Sequence, residues 1–182
     1  TGAPVSGPSV PAGTPGIDGI AAYPFDENAG TVAADVAGDH DATLVGGASW
    51  TAGKSGSALA VNGSGQYADT GAALVNTEGS YSAAAWVKFN AVGDGFQTVV
   101  SQDGGDHSAF FLQYSGADHR LAMSFVGTRA LAPTAPEANR WYHVVGVRDA
   151  ASGTLKLYVD GQPVATKSVC LGDASTGHTV IG

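Results

Sequence analysis

This chain of 182 residues is poor in charge, in sulfur and in glutamate. Charged residues make up 13%, as 16 acids against 8 bases, for a formal net charge of −8. Eight bases without a cluster exclude a nucleic-acid surface, which needs grouped Lys and Arg to displace counterions from phosphate. A single cysteine, Cys170, excludes a disulfide within the chain and a metal site built on several thiolates. It either pairs with a cysteine outside these residues or packs as a half-buried small hydrophobe. Apolar residues total 43%, many of them alanine, yet no run reaches the ~18 residues of a membrane span. No segment keeps a helical period for two turns. The motifs Gly-x-Ser-x-Gly and His-Glu-x-x-His are absent, as is a glycine-rich phosphate loop. The three glutamates, Glu27, Glu78 and Glu137, each fall in a turn or loop, far from the paired arrangement that glycosidic cleavage requires.

What the chain does have is turns. There are 27 glycines, and they punctuate short runs of alternating apolar and polar residues. The alternation predicts strands over 19–25, 42–45, 57–61, 66–69, 80–89, 96–102, 109–115, 119–125, 141–149, 154–159 and 163–169. Asp160-Gly161 supplies the two positive φ angles of a type I′ hairpin turn. Residues 178–182 read as the start of one more strand. Residues 1–16 carry four of the eight prolines and nothing to nucleate a core, which is linker composition. Residues 17–182 make one all-β domain, long enough to bury a core without staples.

Four ordered pieces carry a resemblance. Ala22 to Thr31 (AYPFDENAGT), Ala34 to Leu44 (ADVAGDHDATL), Tyr81 to Lys88 (YSAAAWVK) and Arg140 to Thr166, with its WYHVV and GTLKLYVDGQ runs, appear in order. Together they resemble the laminin G-like jelly-roll domains of the concanavalin A-like lectin/glucanase superfamily. The resemblance implies a two-sheet antiparallel β-sandwich. It also implies a closing strand of the Gly-x-Ile-Asp-Glu-Val type, which does not occur within residues 1–182. The Glu-x-Asp-x-x-Glu strand of the superfamily's glucanases has no counterpart here, so the domain itself is expected to be non-catalytic.

Candidate sites follow from the same residues. Asp35, Asp39 and Asp41, with Asp26 placed nearby by the resemblance, form an oxygen-rich loop of the kind that holds Ca2+ through carboxylates and carbonyls. Turn capping by the same carboxylates is the competing explanation. His40 stands where the family often has Asn. For sugar binding, side chains on loops and the concave sheet are the candidates: Trp50, Phe96, Gln102, Asp103, His107, Gln113, Tyr114, His119 and Arg129. Trp86 and Trp141 lie inside alternating strands and are expected in the core.

The expected function is a carbohydrate-binding module. It would be secreted and tethered by residues 1–16 to a neighbouring catalytic domain, as in a polysaccharide-active glycoside hydrolase. Its partner would be a polysaccharide or oligosaccharide, and tethering would raise local concentration. A protein-interaction or adhesion module and a structural sandwich packing on a catalytic domain are the alternatives. The acidic balance disfavours sulfated glycans.

Overall fold

The computed structural model describes residues 20–170 and 172–182. The tract expected to be a linker, 1–16, therefore lies outside the described residues. Among the described residues there are fourteen strands and no helix, and every paired strand is antiparallel. Numbered in chain order, the larger sheet runs β1 (Val32–Ala33), β2 (Ala42–Val45), β5 (Tyr67–Asp69), β14 (Thr179–Ile181), β7 (Gln97–Gln102), β8 (Phe110–Ser115), β9 (Arg120–Phe125), β10 (Thr128–Leu131). The smaller sheet is β13 (Gln162–Ser168), β12 (Thr154–Val159), β11 (Trp141–Asp149), β6 (Tyr81–Lys88). A separate hairpin pairs β3 (Ser49–Ala52) with β4 (Ser57–Ala60).

The two sheets close on one core. Phe110, Leu112 and Tyr114 from β8 and Leu121, Met123 and Phe125 from β9 meet Tyr142, Val144, Leu155 and Leu157 from β11 and β12. Each such side chain contributes roughly 1.5–3 kcal/mol by leaving water. A smaller cluster, Ala33, Ala42, Leu44 and Ala68, packs under Tyr23, Phe25 and Trp50. The period of two decides which residues go in. On β11, Tyr142, Val144, Gly146 and Arg148 are buried while Trp141, His143 and Val145 face out.

Gly146 marks the closest approach of the sheets. A Cβ there would lie 2.5 Å from Met123 Sδ and 3.3 Å from Leu112 Cδ1. Gly146→Ala is expected to cost about 1–3 kcal/mol by overpacking, read as a lower urea midpoint with an unchanged slope. An unaltered midpoint would show that Met123 turns aside freely.

Most strands lie where the alternation puts them, and Asp160 and Gly161 take φ of 51° and 79°, as a type I′ turn requires. Residues 178–182 also fulfil their pattern. β14 sits inside the larger sheet, hydrogen-bonded to β5 on one side and β7 on the other. Three short strands escaped the pattern: Val32–Ala33, Ser49–Ala52 and Thr128–Leu131. One expected strand does not form. Residues 20–25 join no ladder, and Phe25 has a φ of 58°. Trp86 corrects the sequence reading, because it shares the outward side of β6 with Ser82 and Lys88 and is 51% exposed. Trp141 also faces outward, with the Lys88 ammonium 5.2 Å from its ring centroid. Cys170 is free and exposed, not half-buried.

Candidate functional site

Alternation on β7 to β10 sends Leu112, Tyr114, Leu121 and Met123 into the core. The opposite face of the same strands therefore carries Phe111, Gln113, Ser115, Ala122, Ser124 and Arg129. Cross-strand register brings these together. Phe111 and Arg129 both pair with Ser124, and Gln113 pairs with Ala122. The Gln113 amide donates to the Ser124 hydroxyl at 3.0 Å. Ser115 and Ala122 are fully buried on this face, and Ser124 and Gln113 nearly so.

At one end of that face stands Phe96, 50% exposed, with the Arg129 guanidinium 5.5 Å from its ring centroid. Arg129 Nη1 lies 3.6 Å from Asp118 Oδ2, which also accepts the Ser115 hydroxyl at 2.6 Å. Arg129 Nε is buried without a hydrogen-bond partner among the described residues. Phe96 and Arg129, far apart in sequence, thus form one site. Asp118, Ser115 and Ser124 complete it and were missed. Ser115 and Ser124 enter through pairing register and Asp118 through the β8–β9 turn, neither of which the sequence displays.

Three expected ligand contacts are interior. Tyr114 is buried in the core, its hydroxyl donating to the Gly93 carbonyl at 2.9 Å and lying 3.2 Å from His119 Nδ1. Gln113 is buried on that same face, with its amide committed to Ser124. Gln102 is 0% exposed. Its amide donates to the Val75 and Ser175 carbonyls, and its Oε1 accepts from Val75 N–H and the Thr179 hydroxyl. These side chains shape the sandwich and do not reach a ligand directly.

Asp103 and His107 lie past the other end of β7, roughly 20 Å from Phe96 at the strand rise per residue. There His107 Nε2 is 2.9 Å from Asp173 Oδ2, and Asp103 accepts the Ser108 hydroxyl at 2.9 Å. Trp50 is elsewhere again. It packs on Phe25 and donates its indole N–H to the Gly30 carbonyl at 3.0 Å.

The carboxylates of the 26–41 region are turned onto backbone donors. Asp35 Oδ1 accepts from Ala22 and Ala37, and Oδ2 accepts from His40. Asp41 Oδ1 accepts from Asp35 N–H, whereas Asp26 Oδ1 reaches away to Ser57 N–H. Asp39 is exposed. No group of metal-ligating side chains forms among the described residues. Asp35 and Asp41 thus act as backbone caps within this loop, whereas Asp26 ties the region to the start of β4 and Asp39 faces solvent. Burial acts to raise the Asp35 pKa, but the backbone N–H groups of Ala22, Ala37, His40 and Gly38 outweigh it and hold the carboxyl below its ordinary value. Tyr23, whose hydroxyl donates to the His40 carbonyl, is pushed up to about 12 by burial and by the charges of Asp35 and Asp41.

Comparison with solved structures shows the same architecture. Domain 4 of AbnA, a GH43 extracellular arabinanase from Geobacillus stearothermophilus solved with arabinotriose, superposes with a TM-score of 0.72. The match is 20% identical and covers 90% of this chain and 82% of that one. A Trypanosoma rangeli sialidase solved with sialic acid gives a TM-score of 0.62 at 20% identity, over 86% of this chain but 26% of that one. Both likenesses establish the fold. A search of curated protein sequences finds no match. A laminin G family model, described as concanavalin A-like lectin/glucanases superfamily, matches residues 62–182, about two thirds of the chain. With its sandwich of antiparallel sheets and this match, the chain belongs to the concanavalin A-like lectin/glucanases superfamily.

Proposed function

We propose that this domain is a non-catalytic carbohydrate-binding module whose oligosaccharide lies on the outer face of β7 to β10. The observation that carries the reading is the pairing of half-exposed Phe96 with Arg129 and Asp118, the last held by the buried Ser115 hydroxyl. An aromatic face takes the CH face of a sugar ring, and a planar guanidinium with a neighbouring carboxylate binds its hydroxyls. The arabinanase domain, solved with arabinotriose on a closely similar sandwich, supports a sugar as the ligand class. The module serves a secreted, polysaccharide-active glycoside hydrolase and holds its catalytic domain at the substrate.

Isothermal titration of the domain with neutral oligosaccharides, with and without EDTA, tests this. Phe96→Ala is expected to weaken binding about tenfold, while stability changes little because the ring is half exposed. Equal binding by Phe96→Ala, with loss in Trp86→Ala, would move the site to the other sheet.

A further inference from the structure

The turn between β8 and β9 lies directly against the segment that delivers Phe96. Gly116 opens this turn, and a Cβ there would collide with the carbonyl oxygens of Asp94 and Gly95. Glycine alone lets the two backbones come so close. Side chains add further ties. The Tyr114 hydroxyl donates to the Gly93 carbonyl at 2.9 Å, and the Gln97 amide donates to the Ala91 carbonyl at 2.9 Å. The last tie is His119, which ends the turn with a φ of 53° and a half-exposed ring. Its Nδ1 lies 3.2 Å from the Tyr114 hydroxyl, and its Nε2 lies 3.7 Å from Asp94 Oδ1, within ion-pair distance.

Both neighbours of this imidazole need a proton from it. A carbonyl has none to give, so the Tyr114 phenol proton goes to Gly93, and its oxygen turns a lone pair toward His119 Nδ1. On the far side the Asp94 carboxylate is an acceptor as well. A neutral imidazole carries one N–H and serves one of the two, whereas the imidazolium carries two and serves both. The other charges around the ring are matched or screened. Asp118, on the same turn, accepts the Ser115 hydroxyl and pairs with Arg129 of β10. Arg120, next in the chain, is exposed, so solvent and salt weaken its effect on the ring.

We propose that His119 is a positioning residue for Phe96, and that it fixes the 93–96 segment when its ring takes up a proton. The charged ring bridges Tyr114 on β8 to Asp94, two residues before Phe96. One turn then sets both halves of the site, with Asp118 orienting Arg129 and His119 holding Phe96. Imidazoles become charged as pH falls through about 6.5, while carboxylates stay ionised down to about 4. With Phe96 as the sugar contact, on which this role rests, oligosaccharide is held more tightly in mild acid than in mild base. The bridged form binds one proton more than the open form, so protons and sugar favour each other's binding.

The test begins with NMR of the full chain without sugar. The ring resonances of Phe96 should shift together with those of His119 between about pH 5 and 8. His119→Asn and Asp94→Asn should each remove that pH dependence from Phe96. Asparagine tolerates the positive φ of position 119, and Asp94 is fully exposed, so both variants should fold. Isothermal titration with the neutral trisaccharides of arabinose, xylose and glucose then reads affinity. The wild type should bind about threefold more tightly at about pH 5.5 than at about pH 8, the effect of one exposed ion pair, and both variants should lose the difference. Phe96 resonances that ignore the titration of His119, or a pH dependence that survives in Asp94→Asn, would overturn the proposal. No sugar binding at either pH, with Phe96 still following His119, would uphold the bridge and overturn the sugar site instead.

Discussion

Gln102→Ala is expected to destabilise the domain by about 3 kcal/mol or more while leaving any sugar contact to other residues. The side chain is fully buried, and its amide holds Val75 N–H at 3.0 Å, the Val75 carbonyl at 2.9 Å and the Thr179 hydroxyl at 3.0 Å. Alanine leaves all three without that partner, and each buried unsatisfied group costs about 1–3 kcal/mol. The loss also has a topological meaning. Val75 precedes β6 and Thr179 opens β14, so one amide ties both to the end of β7. Urea unfolding followed by tryptophan fluorescence reads the change as a lower midpoint. A variant with the wild-type midpoint but without oligosaccharide binding would make Gln102 a ligand contact after all.

Asp35→Ala should cost a comparable amount, about 3 kcal/mol, since hydrogen bonds to a charged acceptor contribute about 1.5–3 kcal/mol each and this carboxylate accepts three backbone N–H groups. Its pKa is depressed in the folded state by those bonds. A depressed carboxyl stabilises the fold above its unfolded pKa, about 3.9, and that contribution is lost as pH falls through the folded value. The 20–41 region should therefore loosen in acid before the β8–β9 core does, seen by amide exchange on either side of pH 4. Asp35→Asn, which keeps one acceptor oxygen and removes the charge, should flatten that dependence. EDTA should leave the melting temperature of the wild type unchanged. A drop on chelation would show that a bound cation such as Ca2+ stabilises the domain.

The sandwich was legible because its signal is local. Val145 and Val147, or Leu155 and Leu157, announce a strand within five residues, and Asp160-Gly161 announces its turn within two. The failures have one physical origin. Thr128–Leu131 and Ser49–Ala52 become strands only because a neighbour pairs with them, whereas residues 20–25 join no ladder and show a single backbone bond, from Val36 N–H to the Ala22 carbonyl, among the described residues. Trp86 shows the limit of alternation. The pattern places Trp86 opposite Tyr81 and Val87, but only the assembled sheets reveal which of the two sides faces water. The same holds for the candidate site. Phe96 and Arg129 were visible as exposed candidates, whereas Ser124 joins them through register and Asp118 from the β8–β9 turn. Gln102, Gln113 and Tyr114 look like ligand contacts by residue type, and their interior hydrogen bonds appear only once the sheets are stacked.

Arg129 rides on β10, the outermost strand of the larger sheet, held by a ladder to β9 alone. Boundary strands open more readily than central ones, so this arginine sits on a less protected strand than Gln113 on β8 and Ser124 on β9. Residence time of a guest would then be governed by how often Thr128–Leu131 lifts away, and a bound guest would act as the missing neighbour that keeps it down.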